Sequence, residues 1–241
     1  MAGMIEGKRV VVVGGSSGMG QATAKELAAQ GAEVIIASRS KEKLKSAAKA
    51  IGRPVLVRVL DMTNARQIDA FFQETGPFDH LVISAAEAVM GKFADVEIAE
   101  AKRFFDSKFW GPYSVARAAL SKIRAGGSIT FFAGAASRRG TPGLSCGSAI
   151  NAAIEALSNT LAVELAPIRV NTISPGLIHT PVWDQIMDAE TLEGFFDEAA
   201  KKLPAGRIGT PEEIAHAVVF LIENSYMTGS VIFVDGGYLQ S

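Results

Sequence analysis

The chain has 241 residues, 48% of them hydrophobic, and its 24 Lys and Arg nearly balance 25 Asp and Glu for a formal net charge of -1. That is enough apolar content for one large core in a single α/β domain over 1–241, and the even charge with no basic block argues against nucleic-acid or lipid-surface partners. No apolar stretch is long enough to span a bilayer, MAGMIEGKR runs into the first strand with no signal peptide, and the lone Cys146 excludes an internal disulfide, a pattern that fits a reducing cytoplasm.

Lys8–Val13 opens as a strand, because Val10, Val11, Val12 and Val13 favour extended backbone. It leads directly into Gly14-x-x-x-Gly18-x-Gly20, glycines that remove Cβ atoms where a strand turns into a helix and the backbone meets a diphosphate. Gln21–Gln30 is rich in helix formers. Its N-terminus aims unpaired N–H groups and a positive dipole end at phosphates cradled by Gly14, Ser16, Ser17, Gly18, Met19 and Gly20. Glu33–Ala37 is followed by a helix over Lys41–Ala50. Pro54–Val59 precedes a helix starting near Asn64, with Thr63 as N-cap. Asp79–Ser84 precedes the long helical region Val96–Leu120, and Ser128–Phe132 the Ala-rich Ala149–Leu165. Ile168–Ile173 leads into an irregular stretch holding Pro175, Gly176 and Pro181. Thr210-Pro-Glu-Glu213 is a capping box with proline at the first helical position, and Ser230–Val234 is the seventh strand. Strict β/α alternation predicts a doubly wound α/β domain, a mostly parallel seven-stranded sheet with helices on both faces. Ligands of such sheets sit beyond the C-terminal strand ends.

The second strand ends Ala37-Ser38-Arg39-Ser40. A site selective for NAD places Asp or Glu there, about 20 residues after the glycine turn, on the ribose 2′-OH. Here Arg39 can pair with a 2′-phosphate and Ser38 and Ser40 can donate to it, so the pattern predicts NADP(H). The alternative is that Arg39 is a solvated residue opening the next helix. Asp61, with Met62 beside it, either accepts from the adenine amino group or is an ordinary turn residue near Thr63.

Nearly the whole chain resembles the short-chain dehydrogenase/reductase (SDR) family. The glycine turn matches TGxxxGxG with Val13 where threonine is usual, and Asp61 matches the family's adenine-binding aspartate. Asn171-Thr-Ile-Ser-Pro-Gly-Leu-Ile-His-Thr180 matches N-x-x-x-P-G-x-x-x-T. Gly206-Arg-Ile-Gly-Thr-Pro-Glu-Glu213 and Thr228-Gly-Ser-Val-Ile-Phe-Val-Asp-Gly-Gly237 match the C-terminal signatures. The resemblance implies a Rossmann-type sheet and a homodimer or homotetramer acting on a small molecule, with no metal. It also implies that Pro175, Gly176, Ile178 and Thr180 hold the nicotinamide, that Ser84, Ala85 and Ala86 line the cofactor site, and that 182–203 is a substrate lid.

The family's catalytic Asn, Ser, Tyr and Lys do not stand in their places. Ala152-Ala-Ile-Glu-Ala-Leu157 fixes the frame, putting Gly147 at the tyrosine and Asn151 at the lysine. Ala133-Gly134 replaces the Ser pair, and Lys108 replaces the asparagine. The Asn-Asn-Ala-Gly run becomes Ile83-Ser84-Ala85-Ala86. Without tyrosine the usual proton donor is gone, a loss of about 10²- to 10⁴-fold in rate. Lysine and asparagine have exchanged places. This suggests that Lys108 supplies the ammonium and Asn151 holds the ribose hydroxyl, with the proton coming from Lys108, water, or a hydroxyl such as Ser145 or Ser148. Weaker candidates are Cys146 as nucleophile, His179 as a substrate contact, and Arg138 and Arg139 as holders of an acidic substrate. Two functions remain open at this stage. One is an NADP(H)-dependent oxidoreductase with a non-standard catalytic centre acting on a carbonyl or alcohol; the other is a catalytically silent NADP(H)-binding protein acting as a sensor or interaction module.

Overall fold

The computed structural model describes residues 5–84 and 89–241. Seven strands form one sheet in the order β3-β2-β1-β4-β5-β6-β7, and every ladder is parallel. They are β1 Arg9–Val13, β2 Glu33–Ser38, β3 Val55–Val59, β4 Phe78–Ile83, β5 Ile123–Phe132, β6 Arg169–Pro175 and β7 Val231–Val234. The helices are α1 Gly18–Ala29, α2 Lys41–Ile51, α3 Ala65–Thr75, α4 Ile98–Phe105, α5 Gly111–Ala119, α6 Ser145–Glu164, α7 Ala189–Lys202 and α8 Pro211–Glu223. This is the Rossmann-type architecture. Strand order reverses at β1, where successive strands leave on opposite sides, and the ends of β1, β2 and β4 are level because Val13 pairs with both Ala37 and Ile83. That switch point opens a crevice for a ligand.

Alternation along the valine run builds both halves of the core. Val11 and Val13 join Ile35, Phe72, Phe131 and Ile154 under α3, α5 and α6. Val10 and Val12 join Leu27, Ile36, Leu44 and Val218 under α1, α2 and α8. A central strand buried on both faces needs an unbroken apolar run, which is what the sequence supplies. The outer strand β3 differs: Leu56, Val57 and Val59 are exposed.

Local chemistry sets the helix ends. Ser40 caps α2 by accepting from the Lys43 N–H, and Gly52 ends it in the left-handed region at φ 68°. The α8 capping box joins Thr210 to Glu213, whose carboxylate also receives Arg207. At the other end of α8 the Arg169 guanidinium donates to the carbonyls of Leu221, Ile222 and Met227 at 2.7, 2.8 and 3.1 Å.

Several boundaries differ from those read in the sequence. Asn64, not Thr63, caps α3: its Oδ1 accepts from the Gln67 N–H, while Thr63 belongs to the preceding turn and donates both its N–H and its hydroxyl to Asp61 Oδ1. β5 begins at Ile123, ahead of the predicted Ser128, since Phe78 of β4 recruits it. α6 begins at Ser145 rather than Ala149. The region read as Val96–Leu120 is helical over 98–119, with a π-helical turn, Asp106–Trp110, set between α4 and α5. Single-turn π insertions concentrate at functional sites, and this one carries Lys108. Among the described residues no helix is long and apolar enough to cross a membrane.

Candidate active site

A cleft of about 340 Å³ runs along the C-terminal ends of β1, β2 and β3. The glycine turn forms its floor. Gly14 and Gly18 have φ of 91° and 50°, the left-handed region that favours glycine. Gly20 is required by contact instead: a Cβ there would lie 2.3 Å from both the Gly14 carbonyl oxygen and Ser84 Oγ. The Gly14 N–H donates to the Ala37 carbonyl, which ties the turn to β2. Ser17 precedes α1 without capping it through its side chain, so the hydroxyl leaves the first-turn N–H groups facing the cleft.

The structure gathers most of the predicted residues here. Gly14, Ser16, Ser17, Gly18, Met19, Gly20, Ser38, Arg39, Ser40, Asp61, Met62, Ser84, Lys108 and Thr180 all line the cleft. Ala85 and Ala86 lie outside the described residues. Pro175, Gly176 and Ile178 are not in the lining. Pro175 ends β6, a Cβ on Gly176 would meet the Asp235 backbone at 2.6 Å, and Ile178 is buried and bridged to Gly209. They form a stem that delivers Thr180, whose Cβ lies 3.3 Å from where Gly18 would carry one. Asp61 is a turn residue and a cleft residue at once. Hydrogen bonds from Thr63, helped by the nearby Arg39 guanidinium and outweighing the opposing effect of burial, hold its carboxyl below the usual range.

Lys43 was not foreseen. It lines the same end as Arg39 and Ser40, from the first turn of α2. The available signal was its spacing four residues after Arg39, at a helix start where a cation opposes the dipole and needs another reason to be there.

At the opposite end stands Lys108. It is half-buried, its Nζ lies 5.9 Å from the centre of the Phe104 ring, and burial lowers its pKa to about 8. No carboxylate among the described residues pairs with it. Phe104 also covers Gly147: the nearest atom to a Cβ built there is Phe104 Cε1 at 3.8 Å, an ordinary contact. Asn151 is buried on α6, outside the cleft lining, with its carboxamide turned against Gly134.

The weaker candidates resolve differently. Arg138 donates to the buried Glu155 carboxylate, which also receives Ser137 and Ser174. Arg139 stacks on Tyr238 and donates to the Tyr238 carbonyl and Ser241 Oγ. Both guanidinium groups are therefore committed to the protein itself. The Cys146 thiol is pushed up by burial and by Glu100, the wrong direction for a nucleophile. His179 packs against Phe196 with ring centres 5.3 Å apart. Trp183 donates to the Ile178 carbonyl and packs on Phe195 and Phe196, so these aromatics contact one another. Among the described residues no group of three or more His, Cys, Asp or Glu is placed to hold a metal.

Sheet order, glycine turn and cleft together define a Rossmann-type α/β protein. The family described as Enoyl-(Acyl carrier protein) reductase matches residues 13–239. The mouse (Mus musculus) 3-oxoacyl-[acyl-carrier-protein] reductase is 32% identical over 95% of this chain and 97% of its own length. A small-chain dehydrogenase solved in complex with NADPH is 38% identical, covering 98% of this chain and 100% of its own, with a TM-score of 0.84. The NADPH-bound short chain oxidoreductase from Pseudomonas aeruginosa PAO1, described as containing an atypical catalytic center, is 31% identical over 96% of each chain with a TM-score of 0.88. The chain belongs to the short-chain dehydrogenase/reductase family.

Proposed function

We propose that the protein is an NADP(H)-dependent SDR oxidoreductase with a non-standard catalytic centre, acting on a carbonyl or alcohol compound. The observation that carries this is the single cleft joining Arg39, Lys43, Ser38 and Ser40 at one end to Lys108 at the other across an intact glycine turn. The residues fit the cofactor. Two cations and two hydroxyls suit a 2′-phosphate, the α1 N-terminus suits the diphosphate, and Asp61 suits the adenine amino group. The NADPH complexes of the relatives support the same reading. Bound there, NADPH supplies a hydride. The chain's own part is to supply the proton. Lys108 Nζ holds one, and a pKa of about 8 is close to working pH, where general-acid catalysis is most efficient. Segment 182–203 covers the substrate, with Val182 already at the cleft edge. The exposed Ile98, Trp110 and Tyr113 beside α4 and α5 suit a face between subunits of a homodimer or homotetramer. The lone cysteine suits the cytoplasm.

Fluorescence titration with NADPH and NADH, followed by a screen of aliphatic ketones, quinones and 3-oxoacyl thioesters, tests this. Binding of NADPH at least tenfold tighter than NADH is expected, together with turnover that Lys108→Ala reduces. Binding of neither nucleotide overturns the cofactor assignment. Tight NADPH binding with no turnover across the screen makes the protein a silent binder. Turnover unchanged in Lys108→Ala removes Lys108 from the mechanism.

A further inference from the structure

Asn151 carries a polar group that the folded chain leaves unsatisfied. It is 5% exposed on the second turn of α6, and its Oδ1 is buried with no hydrogen-bond partner among the described residues. Such an atom loses its water and gains nothing in return. The carboxamide is seated against the end of β5: a Cβ built on Gly134 would lie 2.7 Å from Nδ2, 3.3 Å from Cγ and 3.5 Å from Oδ1. Gly134 has φ 179°, extended backbone open to any residue, so space rather than conformation excludes a side chain there.

The position of the amide matters. It lies just past the C-terminal end of β5, on the side of the sheet where ligands bind. Helices on one face of a parallel sheet run parallel to each other, and α4 with its π-turn packs on α6. Phe104 faces Gly147. One turn further along each helix come Lys108 and Asn151. Among the described residues, an ammonium with no carboxylate partner and a carboxamide oxygen with no hydrogen-bond partner thus stand on matching turns of neighbouring helices, Lys108 at the far end of the dinucleotide cleft and Asn151 outside its lining.

We infer that Asn151 is a substrate-binding residue whose carboxamide holds the oxygen being interconverted between carbonyl and alcohol. This rests on the oxidoreductase reading above. A carboxamide suits both directions: Nδ2–H donates to a ketone oxygen, and Oδ1 accepts from the hydroxyl of the alcohol. Gly134 belongs to the same device, because any side chain there pushes the amide from its seat.

Two variants test the inference, Asn151→Leu, which keeps the branched shape without the amide, and Gly134→Ser, which inserts a Cβ. The measurements are NADPH Kd by fluorescence, kcat/KM for the best compound of the carbonyl screen, and Tm without ligand. Asn151→Leu is expected to lower kcat/KM by ten- to a thousandfold, keep NADPH Kd within about twofold, and melt at or above the wild-type temperature, since no bond is lost. Gly134→Ser lowers kcat/KM too, although it adds a hydroxyl beside the site. An unchanged kcat/KM in Asn151→Leu overturns the inference, as does a Tm lower by several degrees, which makes the amide structural. Weaker NADPH binding with kcat/KM preserved moves the amide to the cofactor and overturns it as well. Faster turnover in Gly134→Ser contradicts the seat. A wild-type protein with no turnover overturns the oxidoreductase reading itself, whereas an active wild type with an equally active Asn151→Leu overturns this inference alone.

Discussion

Lys108 ties stability to pH in a direction opposite to that of a paired lysine. Its folded pKa of about 8 lies below its ordinary value of 10.5. Below pH 8 the group is charged in folded and unfolded chains alike, and the desolvation cost is fully present. Between pH 8 and 10.5 the folded protein sheds the proton first and the cost is relieved, so the group's contribution to stability rises with pH across that window. Lys108→Met is therefore expected to melt above wild type at pH 7, with the difference shrinking by pH 10.5. In the same range carbonyl reduction should fall as pH climbs past about 8, and initial rates across pH 6–10 check it; a flat profile would take the proton from elsewhere. Lys108 was findable in the sequence because a lysine replaced a residue the family fixes. Asn64 was not distinguishable from Thr63 as a cap, since both residue types cap helices and only the start of α3 at Ala65, which puts the Gln67 N–H within reach of Asn64, separates them. The commitments of Arg138 and Arg139 were equally illegible: their partners, Glu155 and Tyr238, lie 17 and 99 positions away.

Among the elements, those specified by their own residues were the readable ones. The valine run and the glycine turn were legible because extended backbone, left-handed φ and a 2.3 Å approach at Gly20 each restrict residue type locally. The early start of β5 and the π-turn are tertiary outcomes, set by β4 pairing and by packing on α6, and no local pattern marks them. The C-terminus of α8 belongs with these. Its carbonyls are satisfied from β6 by Arg169, which is buried with its pKa lowered by that burial. Arg169→Leu removes three donated hydrogen bonds and leaves buried carbonyls unpaired. A loss of about 3 kcal/mol is expected, or roughly 6–12 °C in Tm, and differential scanning calorimetry measures it. A change within 1–2 °C, which is under about 1 kcal/mol at this chain length, would show that the helix end closes without the arginine.

The molecule as a whole should be weaker in acid than in base, because its clearest titrations point one way. Burial holds His80 neutral, with a pKa of about 4 against an ordinary 6.5, while its Nδ1 meets Ser128 Oγ at 2.9 Å. As pH falls from 6.5 to 4 the unfolded chain takes up that proton first, and stability is lost. Glu213, lowered to about 2 chiefly by Arg207, adds a loss between 4.5 and 2, softened by its exposure to solvent. Urea midpoints at pH 7 and pH 5 should therefore differ, and His80→Leu should narrow the gap; an equal gap in the variant would assign the loss to other groups.

The aromatic packing between the end of β6 and α7 also gives the molecule an optical property. The chain has two tryptophans. Trp110 is 53% exposed beside Phe109 and Tyr113, whereas Trp183 is anchored to the Ile178 carbonyl and wedged against Phe195 and Phe196, just past Thr180 at the cleft. With Trp110 replaced by phenylalanine, the whole indole emission comes from a single fluorophore at the mouth of the cleft. The near-ultraviolet emission of that indole overlaps the absorption band of a reduced nicotinamide, which makes the wedge a built-in energy-transfer donor, so occupancy of the cleft can be followed by light alone, on unlabelled protein.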